Sequence, residues 1–156
     1  MSGGGRPLVL FVGGKWADSD PRRGLANDHH NLFATLDASG LAERSHFFVD
    51  EFLLANPAPY DEALVRACEK QDPNALLITL SRGIDHHARP ETLETLRARG
   101  IRIAGLFPDT FARADAARID RLAPALDLVI LQDSYTEVLA ALADTAKVLP
   151  DRKSVV

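Results

Sequence analysis

Gly13-Gly14, which closes the apolar stretch "LVLFVGG" and opens the polar loop "KWADSDPRRGLANDHH", is the first place in this chain where chemistry could sit. A strand, a glycine turn and a helix often hold a nucleotide's phosphates, but each such motif makes a stricter demand. A dinucleotide fingerprint needs G-x-G-x-x-G, and no glycine follows Gly14 until Gly24. A P-loop needs G-K-[ST], and Gly14-Lys15 is followed by Trp16. The glycine pair therefore reads either as backbone freedom at a strand exit or as a close backbone approach to a ligand. His29 and His30 lie at the start of the next helical pattern, and His86-His87 lies in a later loop beside Asp85. Adjacent helical residues point roughly 100° apart, so His29 and His30 cannot share one metal ion as an i, i+4 pair would, and no spacing matches a zinc site. Each histidine can be a general base, a partner for a hydroxyl group, or a solvated loop residue. Asp109 can orient or deprotonate a hydroxyl, or cap the helix that follows. Arg82 and the pair Arg22-Arg23 can meet an anion or simply face solvent. G-x-S-x-G is absent, so no nucleophile elbow is visible.

Short apolar runs alternate with helical patterns and must position these residues. Strands are expected at Leu8 to Val12, His46 to Val49, Ala75 to Leu80, Ile101 to Phe107 and Leu126 to Leu131, with a last short one at Lys147 to Leu149. Helices are expected at Leu25 to Ala38 with Gly40 as C-cap, Tyr60 to Lys70, Pro90 to Arg99 closed by Gly100, and Phe111 to Leu122. A fifth helical pattern follows the capping box Ser134-Tyr135-Thr136-Glu137. This alternation predicts an α/β fold, a Rossmann-like doubly wound parallel sheet with helices on both faces. The strand order expected is 3-2-1-4-5. Ligands of such sheets bind beyond the carboxyl ends of the strands. That rim would carry Gly13-Gly14, Ser81-Arg82-Gly83, Pro108-Asp109 and Gln132-Asp133-Ser134.

With 156 residues, residues 1–149 read as one domain, and 150–156 as a tail or the start of a linker. A hydrophobic fraction of 46% and a charged fraction of 26% fit a soluble globular chain. A net charge of −4 with scattered Lys and Arg disfavours nucleic acid and anionic lipid as partners. The single cysteine, Cys68, lies on an apolar helix stripe with Leu64 and Ala67, where a structural thiol is expected, and suits a reducing compartment. No apolar run is long enough to span a bilayer, and the N-terminus lacks a signal-peptide pattern, so the cytoplasm is the expected location. Neither a metal nor a cofactor is expected.

Three stretches carry a resemblance: the glycine-bearing loop and helix ending "LFATLDASGLA", the run "QDPNALLITLSRGIDHHARPETLETLRARGIRIAGLFPDT", and "LDLVILQDSYTEVLAAL". Together they resemble the N-terminal domain of GT-B glycosyltransferases, in the spore-maturation-protein-like bacterial group. The resemblance implies the acceptor-binding half of an enzyme that moves a sugar from a nucleotide-sugar donor. A second Rossmann-like domain would hold the donor, and the family would place its E-x7-E type donor segment in that missing half. It implies inactivity for this chain alone. It also implies catalytic roles for His29, His30 and Asp109, and substrate contacts from Gly13, Gly14, Ser81, Arg82 and His86. A non-catalytic flavodoxin-like, receiver-like or cobalamin-type module stands as the alternative. A receiver's first strand should end in an acidic cluster for Mg²⁺ and phosphate, where this one ends in Gly13-Gly14. A cobalamin domain would want D-x-H-x-x-G, which Asp18 to Gly24 does not supply.

Overall fold

The computed structural model describes residues 5–55, 59–80, 88–108, 113–131 and 148–150. Six strands form one sheet: β1 (Leu8–Gly13), β2 (Glu43–Phe48), β3 (Ala75–Thr79), β4 (Arg102–Phe107), β5 (Leu128–Leu131) and β6 (Val148–Pro150), in the order β2-β1-β3-β4-β5-β6. The pairs β1–β2, β4–β5 and β5–β6 run parallel. The helices are α1 (Ala34–Ser39), α2 (Val49–Ala55), α3 (Tyr60–Gln71), α4 (Pro90–Ala98) and α5 (Arg113–Leu122). This is the α/β class expected, a doubly wound parallel sheet with helices on both faces. Successive strand residues point to opposite faces, so the complete burial of Leu10, Phe11 and Val12 in a row requires cover on both sides of β1.

The expected order 3-2-1-4-5 is corrected to 2-1-3-4-5, with β6 beyond. The physical reason lies in composition. The β2 segment, ERSHFF, is exposed over much of its length, as an edge strand must be. The β3 segment, ALLIT, holds Leu76, Ile78 and Thr79 buried, as a central strand must.

The chain divides into two compact units, residues Met1–Leu77 and Ile78–Val156. In the first, the two faces of β2 have separate tasks. Arg44, His46 and Phe48 share one face: Arg44 and His46 lie against the ring of Phe33, and His46 stacks on Phe48. Phe47 on the other face packs against Phe52 of α2 and Tyr60 of α3. Phe11, Phe33 and Phe48 form a buried aromatic cluster, with ring centroids 5.6–6.3 Å apart, to which Leu32 and Leu77 add apolar cover. Burying each such side chain contributes on the order of 2 kcal/mol. The helix expected over Leu25 to Ala38 begins later. Leu25 instead forms an antiparallel bridge with Trp16, and a π-helical turn, His29–Phe33, precedes α1. Gly40 caps α1 in the left-handed conformation, φ 62°, as expected. α3 buries Tyr60, Leu64 and Cys68 on one stripe. The second strand starts three residues earlier than its expected boundary at His46, and Val49 opens α2 without any turn residue.

In the second unit, Pro90 occupies the first turn of α4, and Gly100 ends it at φ 90°. Gly105 on β4 lies under Leu126 and Leu80; a Cβ there would meet the Leu126 Cδ1 at 2.6 Å. Asp127 ties β5 to β4: the Ile103 N–H donates to its Oδ2 at 2.9 Å, and Arg97 and Arg102 each donate to its Oδ1 at 3.3 Å. These arginines and Asp127 line an open groove with Ala98, Gly100 and Ile101, and both arginines share the one carboxylate there.

Candidate functional site

The carboxyl end of β1 is built around a carboxylate that sequence reasoning missed. Asp50, the second residue of α2, is 3% exposed. Its Oδ2 accepts the Trp16 N–H at 2.7 Å and the Lys15 N–H at 2.9 Å, and its Oδ1 accepts the Glu51 N–H at 2.9 Å. Three backbone donors converge on one buried acid and satisfy its acceptor oxygens. Gly14 is the residue that turns the chain into this arrangement. A Cβ on it would lie 3.7 Å from Asp50 Oδ2, an ordinary contact, and its φ is not positive. Crowding does not demand glycine there.

Lys15 folds back over the same junction. Its Nζ meets Glu51 Oε1 at 2.6 Å and sits 4.7 Å from the Trp16 ring centroid and 5.4 Å from that of Phe48. The loop beyond it is pinned to itself. Ala26 N–H donates to Lys15 O at 2.8 Å and Ala17 N–H to Gly24 O at 2.9 Å, with Gly24 at φ 83°. Arg22 and Arg23, weighed above as anion contacts, are paired within this loop to Asp20 and Asp18. The Arg22 side chain and backbone N–H hold the Asp20 carboxyl below its usual range.

His29 and His30 open the π-helical turn with their rings at 86° and centroids 6.0 Å apart, so they diverge. His29 packs 5.1 Å from Phe33 and 5.7 Å from Phe48, and its buried Nδ1 has no hydrogen-bond partner. Burial first, then the nearby His30, Lys15, His46 and Arg44, push its pKa below the ordinary histidine value. His46, stacked 4.2 Å above Phe48, is lowered chiefly by burial too. Among the described residues no group of three or more His, Cys, Asp or Glu side chains could hold a metal ion.

Of the residues singled out by sequence, Gly13, Gly14, His29 and His30 belong to the first unit. Ser81, Arg82, His86 and Asp109 lie outside the described residues, as do Asp85, His87 and the capping box from Ser134. Asp50, Lys15, Glu51 and His46 were the omissions. The available signal was an acidic pair, Asp50-Glu51, directly after the apolar run Phe47-Phe48-Val49.

No family model matches this chain, and no curated protein matches it. Solved structures do. The signal receiver domain of the putative response regulator NarL from Mycobacterium tuberculosis is 13% identical with a TM-score of 0.50, covering 90% of this chain and 96% of that one. A DNA-binding response regulator of the LuxR family from Staphylococcus aureus is 12% identical with a TM-score of 0.50, covering 88% and 97%. A cobalamin-binding protein from Desulfitobacterium hafniense is 13% identical with a TM-score of 0.49, covering 89% and 58%. The fold is that of receiver domains. At such identities the likeness extends to the fold and no further.

These neighbours correct the resemblance to a GT-B glycosyltransferase. Two solved structures that this chain matches at a TM-score of 0.50 are a response regulator's signal receiver domain and a DNA-binding response regulator, not sugar-transferase halves. The nucleotide-sugar donor, the acceptor and the missing donor domain go with that reading. The roles it lent to His29, His30, Asp109, Gly13, Gly14, Ser81, Arg82 and His86 rest on their own chemistry alone.

Proposed function

We propose that this chain is a receiver-like interaction domain that works by contact with a protein partner and carries out no group transfer of its own. One observation carries the reading. The carboxyl end of β1, where a phosphate-receiving domain needs free acids, presents Gly13-Gly14, and the buried acid beside it is consumed by the Lys15, Trp16 and Glu51 N–H groups. An acid with three fixed donors is a structural anchor and has little capacity left for Mg²⁺ or for an incoming phosphoryl group. The rest of the junction is likewise paired within itself, with Lys15 closed onto Glu51 and the loop arginines onto loop aspartates.

Residues 1–149 are taken as the domain and 150–156 as a trailing segment. A cytoplasmic setting is part of the proposal, supported by a single cysteine, Cys68, that is buried. Among the described residues no helix is long and apolar enough to cross a membrane. Nucleic acid is not proposed as a partner, given the net charge of −4.

The exposed side of the first unit offers Leu41, 78% exposed, in the turn between α1 and β2. The test places a photo-crosslinking amino acid at Leu41, in the chain expressed in its own host, with exposed Arg66 of α3 as the control position. A discrete protein adduct from position 41 and none from position 66 is expected. A monomer free of adducts that instead binds flavin, cobalamin or a nucleotide sugar in a thermal-shift screen would refute the reading.

A further inference from the structure

A neutral imidazole needs one nitrogen to donate, whereas an imidazolium needs both. The Nδ1 of His29 is buried without an acceptor, so the neutral ring fits its place and the charged ring does not. The ring rests against Phe33 and Phe48, two of the three aromatic side chains in the buried cluster with Phe11. The turn that carries it is a π-helical one, wider than its neighbours and held by the Ala34 N–H on His29 O and the His30 N–H on Ala26 O.

The charges around the ring do not welcome a proton. Its own turn contributes His30, and the chain just before it Asp28. The loop after β1 contributes Lys15 and β2 contributes Arg44 and His46, and the acids that pair with two of these are Glu51 of α2 and Asp37 of α1. Glu51 is closed onto the Lys15 ammonium and Asp37 onto the Arg44 guanidinium. The nearby cations, together with burial, favour the neutral form.

We propose that His29 is an acid-released latch: protonation drives its ring out of the Phe33–Phe48 pocket, opens the π-helical turn His29–Phe33 and uncovers the aromatic cluster beneath. The latch is independent of any partner and stands whether or not the interaction reading holds.

The sign follows from linkage. The pKa of His29 is depressed on folding, so the unfolded or opened state binds the proton more readily. Closure is complete above the ordinary histidine value near 6.5 and weakens as pH falls below it, by up to about tenfold per pH unit for one proton. The latch also accounts for the single-residue specificity of the test. Backbone hydrogen exchange, corrected for intrinsic rates, is measured on the full chain at pH 7.5 and 5.5. Amides of residues 30–34 are expected to lose protection up to tenfold relative to those of β4. His29→Phe, which fills the aromatic slot without titrating, should remove that loss, and His30→Asn should retain it. Equal protection at the two pH values, or an undiminished loss in His29→Phe, overturns the latch. Should His29→Phe fail to fold, histidine ring NMR of the unaltered chain decides: a His29 pKa below 6.5 supports the latch, and one at or above 6.5 overturns it.

Discussion

Replacing Asp50 with alanine removes the acceptor for three N–H groups at once. The Trp16, Lys15 and Glu51 amides would be left beside a small cavity, with donor distances of 2.7, 2.9 and 2.9 Å abolished. A buried donor stripped of its partner costs roughly 1–3 kcal/mol. Lys15 and Glu51 stand in partly exposed surroundings where water can recover some of that loss, whereas the carboxylate itself is 3% exposed. A total of about 3–5 kcal/mol follows, well beyond the ~1 kcal/mol of an average substitution. Lys15→Met is the internal comparison, because the ion pair to Glu51 is partly exposed, at 27% and 43%, and worth about 1 kcal/mol or less. Urea unfolding followed by the fluorescence of Trp16, the sole tryptophan, reads the site directly. The Asp50→Ala midpoint should fall at least three times as far as that of Lys15→Met. Equal shifts, or an Asp50→Ala cost under about 1 kcal/mol, would refute the anchoring role.

Gly105→Ala should destabilise by about 1–3 kcal/mol in thermal unfolding, because its Cβ would press on Leu126 Cδ1 at 2.6 Å and Leu80 Cδ1 at 3.1 Å. Gly14→Ala, with its nearest atom at 3.7 Å, should cost under about 1 kcal/mol and serves as the contrast. Burial raises the Asp127 carboxyl, but the Ile103 N–H and the two arginines outweigh it and leave the group below its ordinary value. Its stabilising contribution is therefore complete above about pH 4 and lost as pH falls through the folded value, a loss that acid titration of Asp127→Asn should show much reduced. Gly40→Ala, forced into φ 62°, should cost about 1–2 kcal/mol by the same unfolding assay.

Much of the fold was legible because its signals are local. The spacing of Tyr60, Leu64 and Cys68 declares α3, Pro90 and Gly100 bracket α4, and the apolar run at Leu8 to Val12 declares a strand covered on both faces. Strand order was legible too, in the contrast between the polar ERSHFF and the apolar ALLIT, but the expected order followed a fold analogy instead. The junction of β2 with α2 was not legible. Val49 is β-branched and continues an aromatic run, yet it opens a helix because Asp50 is held by backbone N–H groups 34 and 35 residues earlier. Backbone donors leave no trace in residue identity, so the anchor at the end of β1 had no sequence signature beyond the Asp50-Glu51 pair. The π-helical turn was hidden for a similar reason: His29 and Phe33 read as ordinary helical positions until the packing against Phe48 is seen. The glycosyltransferase resemblance rested on element order and loose phrasing, which any doubly wound sheet shares.

Whether Asp50 is an anchor or a reactive acid is decided by intact mass spectrometry of the chain incubated with Mg²⁺ and acetyl phosphate. An unphosphorylated chain, with an unchanged mass in both the native protein and Asp50→Asn, is the expected result. A stoichiometric phosphoryl adduct of about 80 Da on the native chain that disappears in Asp50→Asn would contradict the account at its centre.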